Sequence, residues 1–382
     1  MKRDLYTPEQ EDYRASFRRF LEREVIPHYA GWEAEGIVPR EMFAAAAQHG
    51  FVAMAVPERF GGAAVDDFRF NAVLCEEIQR AGVGSYGLGL TLHNDICLPY
   101  FLSYCDESQQ QRWLPGIADG RLICAIAMTE PGIGSDLAGM QASARAVDGG
   151  FRLNGTKTFI TNGINADLVI VAAKTDPKQK HAGISLVIVE RGAEGFDRGR
   201  NLEKVGQHAQ DTAELFFNDV FVPSENLLGE TGQGFRYLVS NLAQERLSIA
   251  ISALAAARAG LDWTLDYARE RRAFGQAIGS FQNSRFQLAE CRAEVDVAQA
   301  YVDDAVRALG AGELTAEDAA IAKWWCTEAQ GRVLDRCVQL HGGYGYMTEY
   351  PVARAWVDAR VTRIYGGANE IMREIVGRSM GL

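Results

Sequence analysis

The sequence predicts an α+β chain in three parts, ordered helical, β, helical. Two switches in the apolar repeat carry that prediction. Phe17, Phe20, Leu21 and Val25, then Met42, Phe43 and Ala46, recur at three- and four-residue steps in a first part spanning residues 1–120. Residues 121–232 change to a period of two and to short apolar runs, the pattern of strands. From 233 to 382 the helical step returns in longer segments. A third observation concerns the joints: no repeat, low-complexity tract or Gly/Ser-rich linker separates the parts, so they are expected to pack continuously.

In the first part Pro27, Pro39 and Pro57 read as breaks between helices. Gly82, Gly84 and Gly87 match the spacing of a dinucleotide-binding turn, but a helical run, Phe70 to Arg80, precedes them where that turn needs a strand. They are expected to form a loop between helices. In the middle part strands are expected at Leu122–Met128, Asp167–Ala173, Ile184–Val189 and Ala213–Val222, with turns at Asp148-Gly149 and Asn218-Asp219. In the last part helices are expected over Phe235–Arg272 and Phe281–Leu309, a third opens at Thr315 with Asp318 in capping-box relation, and Tyr350-Pro351 restarts another.

Composition bounds the function. The 382 residues are 47% hydrophobic and 23% charged, ordinary for a folded globular protein. A net charge of -11 gives no broad electrostatic footprint for nucleic acid, so an anionic ligand needs a local basic pocket. Seven scattered cysteines without a C-x-x-C pair argue against a disulfide framework or a zinc site, and no metal is expected. The first ten residues lack the layout of a signal or transit peptide, and no apolar run reaches membrane-spanning length, so a cytoplasmic protein is expected.

Two polar strand ends stand out as chemistry. Ala127-Met128-Thr129-Glu130-Pro131-Gly132-Ile133-Gly134-Ser135-Asp136 puts two hydroxyls and two glycines in one loop, and Phe159-Ile160-Thr161-Asn162-Gly163 ends a second strand. Each alone reads equally as a turn. Together they could clamp a flat heterocycle by hydrogen bonds. Further on, Arg271-Arg272-Ala273-Phe274-Gly275-Gln276 and Gln339-Leu340-His341-Gly342-Gly343-Tyr344-Gly345 read locally as helix C-termini followed by glycine turns. His341 has no histidine at metal-binding spacing and is expected to be packed or solvated.

These segments, in this order, resemble the acyl-CoA dehydrogenase family over essentially the whole chain. The resemblance implies the acyl-CoA dehydrogenase fold, with a β-barrel-like middle domain and a C-terminal four-helix bundle. It implies FAD as cofactor, with Thr129 on the flavin pyrimidine, Thr161 near N5, Phe159 shielding the ring, and Ser135 near both cofactor and CoA. It further implies that Arg271, Phe274 and Gln282 reach the FAD of a neighbouring subunit, that Gln339, Gly342 and Gly343 cradle its adenine-diphosphate end, and that the protein is a homotetramer. Phe159 replaces a common tryptophan, Ile133 a small residue, and Ala368 a threonine that contacts FAD.

Desaturating a thioester requires one carboxylate to remove the α-proton while the β-hydrogen leaves as hydride. Many members of the family carry that base after Ile-Tyr in the C-terminal segment. This chain reads Ile364-Tyr365-Gly366-Gly367-Ala368-Asn369-Glu370, and Gly366 cannot act as a base. On the helix from Phe235, however, Leu238, Leu242, Glu245 and Ile249 share one stripe. An acid on an apolar face is either paired with a cation or raised in pKa toward general-base strength. The long-chain and isovaleryl-CoA branches place their base at this helical position, and Gln244-Glu245-Arg246-Leu247 matches their Glu-Arg pair. The resemblance therefore implies Glu245 as base, Arg246 and Tyr365 beside the substrate, and the Gly366 N–H polarising the thioester carbonyl. Glu370 is the lesser candidate.

The expected reaction is conversion of a medium, long or branched saturated acyl-CoA to the trans-2-enoyl-CoA in fatty-acid β-oxidation or related catabolism, with electrons passing to an electron-transfer flavoprotein. Two alternatives remain open: an acyl-CoA oxidase, and a flavin-binding scaffold without turnover.

Overall fold

The computed structural model describes residues 3–381. Seven α-helices open the chain: α1 (Pro8–Phe20), α2 (Ile26–Glu35), α3 (Glu41–Gln48), α4 (Phe68–Arg80), α5 (Gly84–Thr91), α6 (Leu98–Tyr104) and α7 (Glu107–Ala118). Pro27 does not break this array. A π-helical segment, Leu21–Val25, leads from α1 into α2, and a second, Leu92–Cys97, leads from α5 into α6 ahead of Pro99. The wider turn absorbs the amide that proline lacks, and the helix axis continues. Gly84 and Gly87, expected in a loop, lie in α5. Gly87 has no room for a side chain, because a Cβ there would stand 2.2 Å from Ile78 Cγ2, and the two helices pack across that gap.

The middle part is a sheet of eight strands: β1 (Cys124–Ala127), β2 (Ser143–Val147), β3 (Gly150–Thr161), β4 (Leu168–Lys174), β5 (Ile184–Glu190), β6 (Phe196–Asn201), β7 (Thr212–Pro223) and β8 (Leu227–Leu228). The hydrogen-bonded order is β6-β7-β3-β2-β4-β5-β8, with β1 parallel to β4. The barrel-like expectation is corrected here: β6 and β8 end the sheet without pairing each other, so it stays open. Asp148-Gly149 makes the expected turn between β2 and β3. Asn218-Asp219 does not turn the chain. It is a bulge inside β7, with Asp219 at φ 51° opposite a register shift in β3.

Helix α8 (Gly234–Glu270, 37 residues) starts the last part, followed by a two-strand hairpin β9 (Arg272–Ala273) and β10 (Gln276–Ala277), then α9 (Gln282–Gly310), α10 (Ala316–His341), α11 (Pro351–Ala359) and α12 (Asn369–Ser379). The Thr315 side chain caps α10 by accepting from the Asp318 N–H. The three long helices form the bundle, and short α12 fills the fourth position against α10. One apolar core runs from the first helices into the sheet, and a second fills the bundle. Helix α4 serves both, giving Phe70, Leu74 and Ile78 to the first and Ala72 and Cys75 to the second. That shared helix seats the first part on α8.

Candidate active site

A cleft opens where the sheet, the pair α4–α5 and α8 meet. Its sheet side carries Thr129, Phe159, Ile160 and Thr161, and its helical side carries Glu245, Tyr365 and Gly366. Segments that are more than 200 residues apart in sequence thus converge on one cavity.

The two polar strand ends are locked together by residues that sequence reasoning passed over. Lys157 of β3 is fully buried, and its Nζ donates to Glu130 Oε1 at 2.9 Å and to the Met128 carbonyl at 3.0 Å. The Glu130 carboxylate also accepts the N–H groups of Gln141 and Ala142. Burial works against its charge, but Lys157 and these amides outweigh burial and hold the carboxyl below its usual value. A register shift between Lys157 and Ile160 then turns Phe159 out at φ 60°, leaving it 68% exposed beside Thr161.

Glu245 is 3% exposed, and burial raises its carboxyl to about 7, opposed by a hydrogen bond from Tyr100 and by the charge of Arg246. The Tyr100 hydroxyl donates to Glu245 Oε1 at 3.0 Å. No cation pairs with Glu245 among the described residues. Gly366 sits at φ 62°, and a Cβ there would stand 2.3 Å from Ile249 Cδ1, one helical turn beyond Glu245. A side chain at 366 would need Ile249 to swing its Cδ1 aside and a residue other than glycine to hold a positive φ. Behind this loop the buried Lys323 donates to the Gly367 carbonyl and to Asn369 Oδ1, both at 2.8 Å, which fixes the backbone that presents the Gly366 N–H.

Not every expected residue meets in the cleft. Ser135 is exposed on its loop, Arg246 is buried behind Glu245 with its Nε unpartnered, and Glu370 is exposed on α12, away from the base position. Arg271, Gln339, Gly342 and Gly343 line a separate hollow with Tyr344. Phe274 stands 95% exposed at the hairpin tip, and Gln282 is exposed at the start of α9. His341 is a packed histidine, stacked on Tyr267 with Nδ1 2.9 Å from the Cys337 carbonyl.

A dinucleotide flavin fits these features. A Cβ on Gly342 or Gly343 would meet nothing within 4 Å, so the backbone there is open to a ligand. The Arg271 guanidinium lies over the Tyr344 ring and pairs with no carboxylate among the described residues, as a phosphate-binding cation requires. Among the described residues no group of three or more His, Cys, Asp or Glu is placed to hold a metal ion, and no helix is long and apolar enough to cross a membrane.

Fold and cleft together define a flavin-dependent oxidoreductase, and comparison with known proteins gives it a family. Models of the acyl-CoA dehydrogenase N-terminal, middle and C-terminal domains match residues 7–121, 125–220 and 232–381. The chain is 44% identical to the long-chain specific acyl-CoA dehydrogenase of Sus scrofa over 380 residues, covering 99% of this chain and 88% of that one. An acyl-CoA dehydrogenase structure from Geobacillus kaustophilus superposes with a TM-score of 0.97 at 48% identity, covering 99% of each chain. A glutaryl-CoA dehydrogenase from Mycobacterium smegmatis in complex with FADH2 superposes at 0.92 with 26% identity, covering 98% of this chain and 95% of that one. The chain belongs to the acyl-CoA dehydrogenase family and is an FAD-dependent acyl-CoA dehydrogenase.

Proposed function

We propose that the protein oxidises the α,β bond of a saturated long-chain acyl-CoA to the trans-2-enoyl thioester, with Glu245 as base. The observation that carries this reading is the buried Glu245 carboxyl, held at about 7 with Tyr100 as its one side-chain hydrogen-bond partner among the described residues, on the wall of the cleft that also contains Thr129, Phe159 and Thr161. A base is most useful when its pKa lies near the working pH. Its removal of the α-proton is aided by Tyr100, whose hydrogen bond aims the carboxylate, and by the Gly366 N–H, which polarises the thioester carbonyl. FAD, when bound, supplies the two-electron acceptor for the β-hydrogen. Thr129 and Thr161 would hold its ring by their hydroxyls and Phe159 would shield it, with Ser135 on its exposed loop near the cofactor and the CoA moiety, Tyr365 beside the substrate, and Arg246 supporting the wall behind the base.

The long chain is inferred from the cleft's depth. Its wall on α8 runs from Glu245 through Ile249 and Ala253 to Ala256. Eleven residues at a rise of about 1.5 Å give about 16 Å, roughly thirteen extended carbon–carbon steps. The Sus scrofa relative named for long chains supports the same class. The hollow at Arg271, Gln339, Gly342 and Gly343, with Phe274 and Gln282, is read as the part offered to a neighbouring subunit's FAD, which makes the protein a homotetramer. Electrons leave to an electron-transfer flavoprotein, and the enzyme works in the cytoplasm in β-oxidation of fatty acids.

The test is anaerobic bleaching of the bound flavin by a series of acyl-CoA thioesters. Bleaching fastest with long chains, and a loss of about 10³-fold or more in Glu245→Gln at unchanged FAD content, is the expected result. Undiminished bleaching in the variant would remove Glu245 from the mechanism.

A further inference from the structure

The far end of the acyl cleft is not the apolar floor that a plain alkyl terminus needs. Where α8 reaches Ala256, the cleft is closed by Gln79 at the end of α4, Gln207 from the loop before β7, and Asp358 of α11. These side chains are close. A Cβ on Gly84, at the start of α5, would stand 3.4 Å from Gln79 Oε1 and 3.7 Å from Asp358 Oδ2, so both polar groups face one small gap. Asp358 Oδ1 accepts the Gln207 N–H at 2.5 Å, which holds Gln207 at φ 55° and turns its side chain to the cleft.

The hydrogen-bonding capacity of this cluster is largely unused. Gln207 Oε1 is buried with no partner. Among the described residues the side-chain amides of Gln79 and Gln207 make no hydrogen bond, and Asp358 accepts only from the Gln207 backbone. Buried polar groups in native proteins are paired almost without exception, so a group of this kind at the end of a ligand cleft marks a polar atom of the ligand. A methyl terminus would leave Gln207 Oε1 buried and unpaired and would cover the half-buried Gln79 and Asp358 side chains, at a cost an aliphatic tail does not repay.

We infer that the preferred substrate is a long-chain acyl-CoA carrying a hydroxyl at or next to its far end, received by Gln79, Gln207 and Asp358. A hydroxyl both donates and accepts, so it can donate to Gln207 Oε1 and accept from the Gln79 amide. A terminal carboxylate gains less here, because Asp358 and the nearby Glu33 carry like charge that Arg354 and Lys204 offset only in part, leaving Asp358 raised by burial. A terminal ammonium would lose its hydration to meet two amides. The hydroxyl is neutral and short enough for the gap above Gly84.

The inference rests on the dehydrogenase reading of the cleft, and one experiment separates the two. Anaerobic flavin bleaching by the purified FAD-loaded enzyme is compared for hexadecanoyl-CoA and 16-hydroxyhexadecanoyl-CoA, with the 12- and 14-carbon pairs alongside. The expected result is a preference of about tenfold or more in kcat/KM for the hydroxylated member at the best-fitting length, because unpaired polar groups penalise the analogue that cannot satisfy them. In Gln207→Leu, and independently in Gln79→Leu on the edge of α4, that preference falls to one or reverses, with FAD content reporting that each variant is folded. A preference at or below one in the parent, or an undiminished preference in both variants, overturns the inference: the cluster then holds water. Bleaching by none of the thioesters overturns the dehydrogenase reading and this one with it.

Discussion

The phenol of Tyr100 stabilises the charged form of Glu245 and so pulls its pKa down against burial. In Tyr100→Phe that support is lost and the base is expected to titrate about one unit higher. The acid limb of log kcat/KM should therefore move to higher pH, with the plateau nearly kept; an unmoved limb would show that Glu245 is set by burial alone. The stripe of Leu238, Leu242 and Ile249 marked Glu245 as an acid on an apolar face, and the resemblance of Gln244-Glu245-Arg246-Leu247 to the family, not the stripe, implied it as base. Tyr100 was not, because the contact spans 145 residues and joins two helices whose packing no local pattern encodes. Gly366 shows the same limit. Its lack of a base could be read directly, but its positive φ and the approach of Ile249 Cδ1 needed coordinates.

At the scale of elements, the sheet's contribution to the site depends on one buried pair. Lys157 and Glu130 fasten the loop of Thr129 to the bulge of Phe159. In Lys157→Met the Glu130 carboxylate is left buried without its cation, a loss expected to cost about 3–5 kcal/mol in urea unfolding. FAD retention after gel filtration should fall with it, since both arms of the proposed flavin clamp lose their register. The long helices were read to within two residues because their apolar steps repeat over many turns. The strands β2, β3 and β6 were harder. Ser143–Val147 and Phe196–Asn201 are short and polar on one face, and β3 carries a break in alternation at the bulge that aims Phe159. Asn218-Asp219 misled for a related reason: turn residues also serve a strand where it must bulge. The π-helical segment before Pro27 was hidden because that proline reads locally as a break, and the one before Pro99 had no local signal.

Across the whole molecule, buried acids set opposite trends in stability with pH. Asp95, Asp358 and Glu245 are raised by burial to about 6, 7 and 7. Such groups bind more protons folded than unfolded between their unfolded values near 4 and those values, so stability falls as pH rises from about 4 to 7. Asp67, Glu77 and Glu130 are depressed: burial opposes their charge, but arginine or lysine partners outweigh it. Their contribution is present above their unfolded values near 4 and is lost as pH falls below them. The melting temperature is therefore expected to peak near pH 5, and in Glu245→Gln to decline less between pH 5 and 8; an equal decline would show that Glu245 is not raised. The order of the three parts was legible because composition and period change together at each joint. Helix α4's double duty was not, because its two faces answer to different cores. One consequence follows from α8 being a single rod of 37 residues. The proposed base and the far wall share one ruler that cannot stretch, so a tail one turn too long is expected to push its own α-carbon out of reach, and overlong thioesters to bind without reacting.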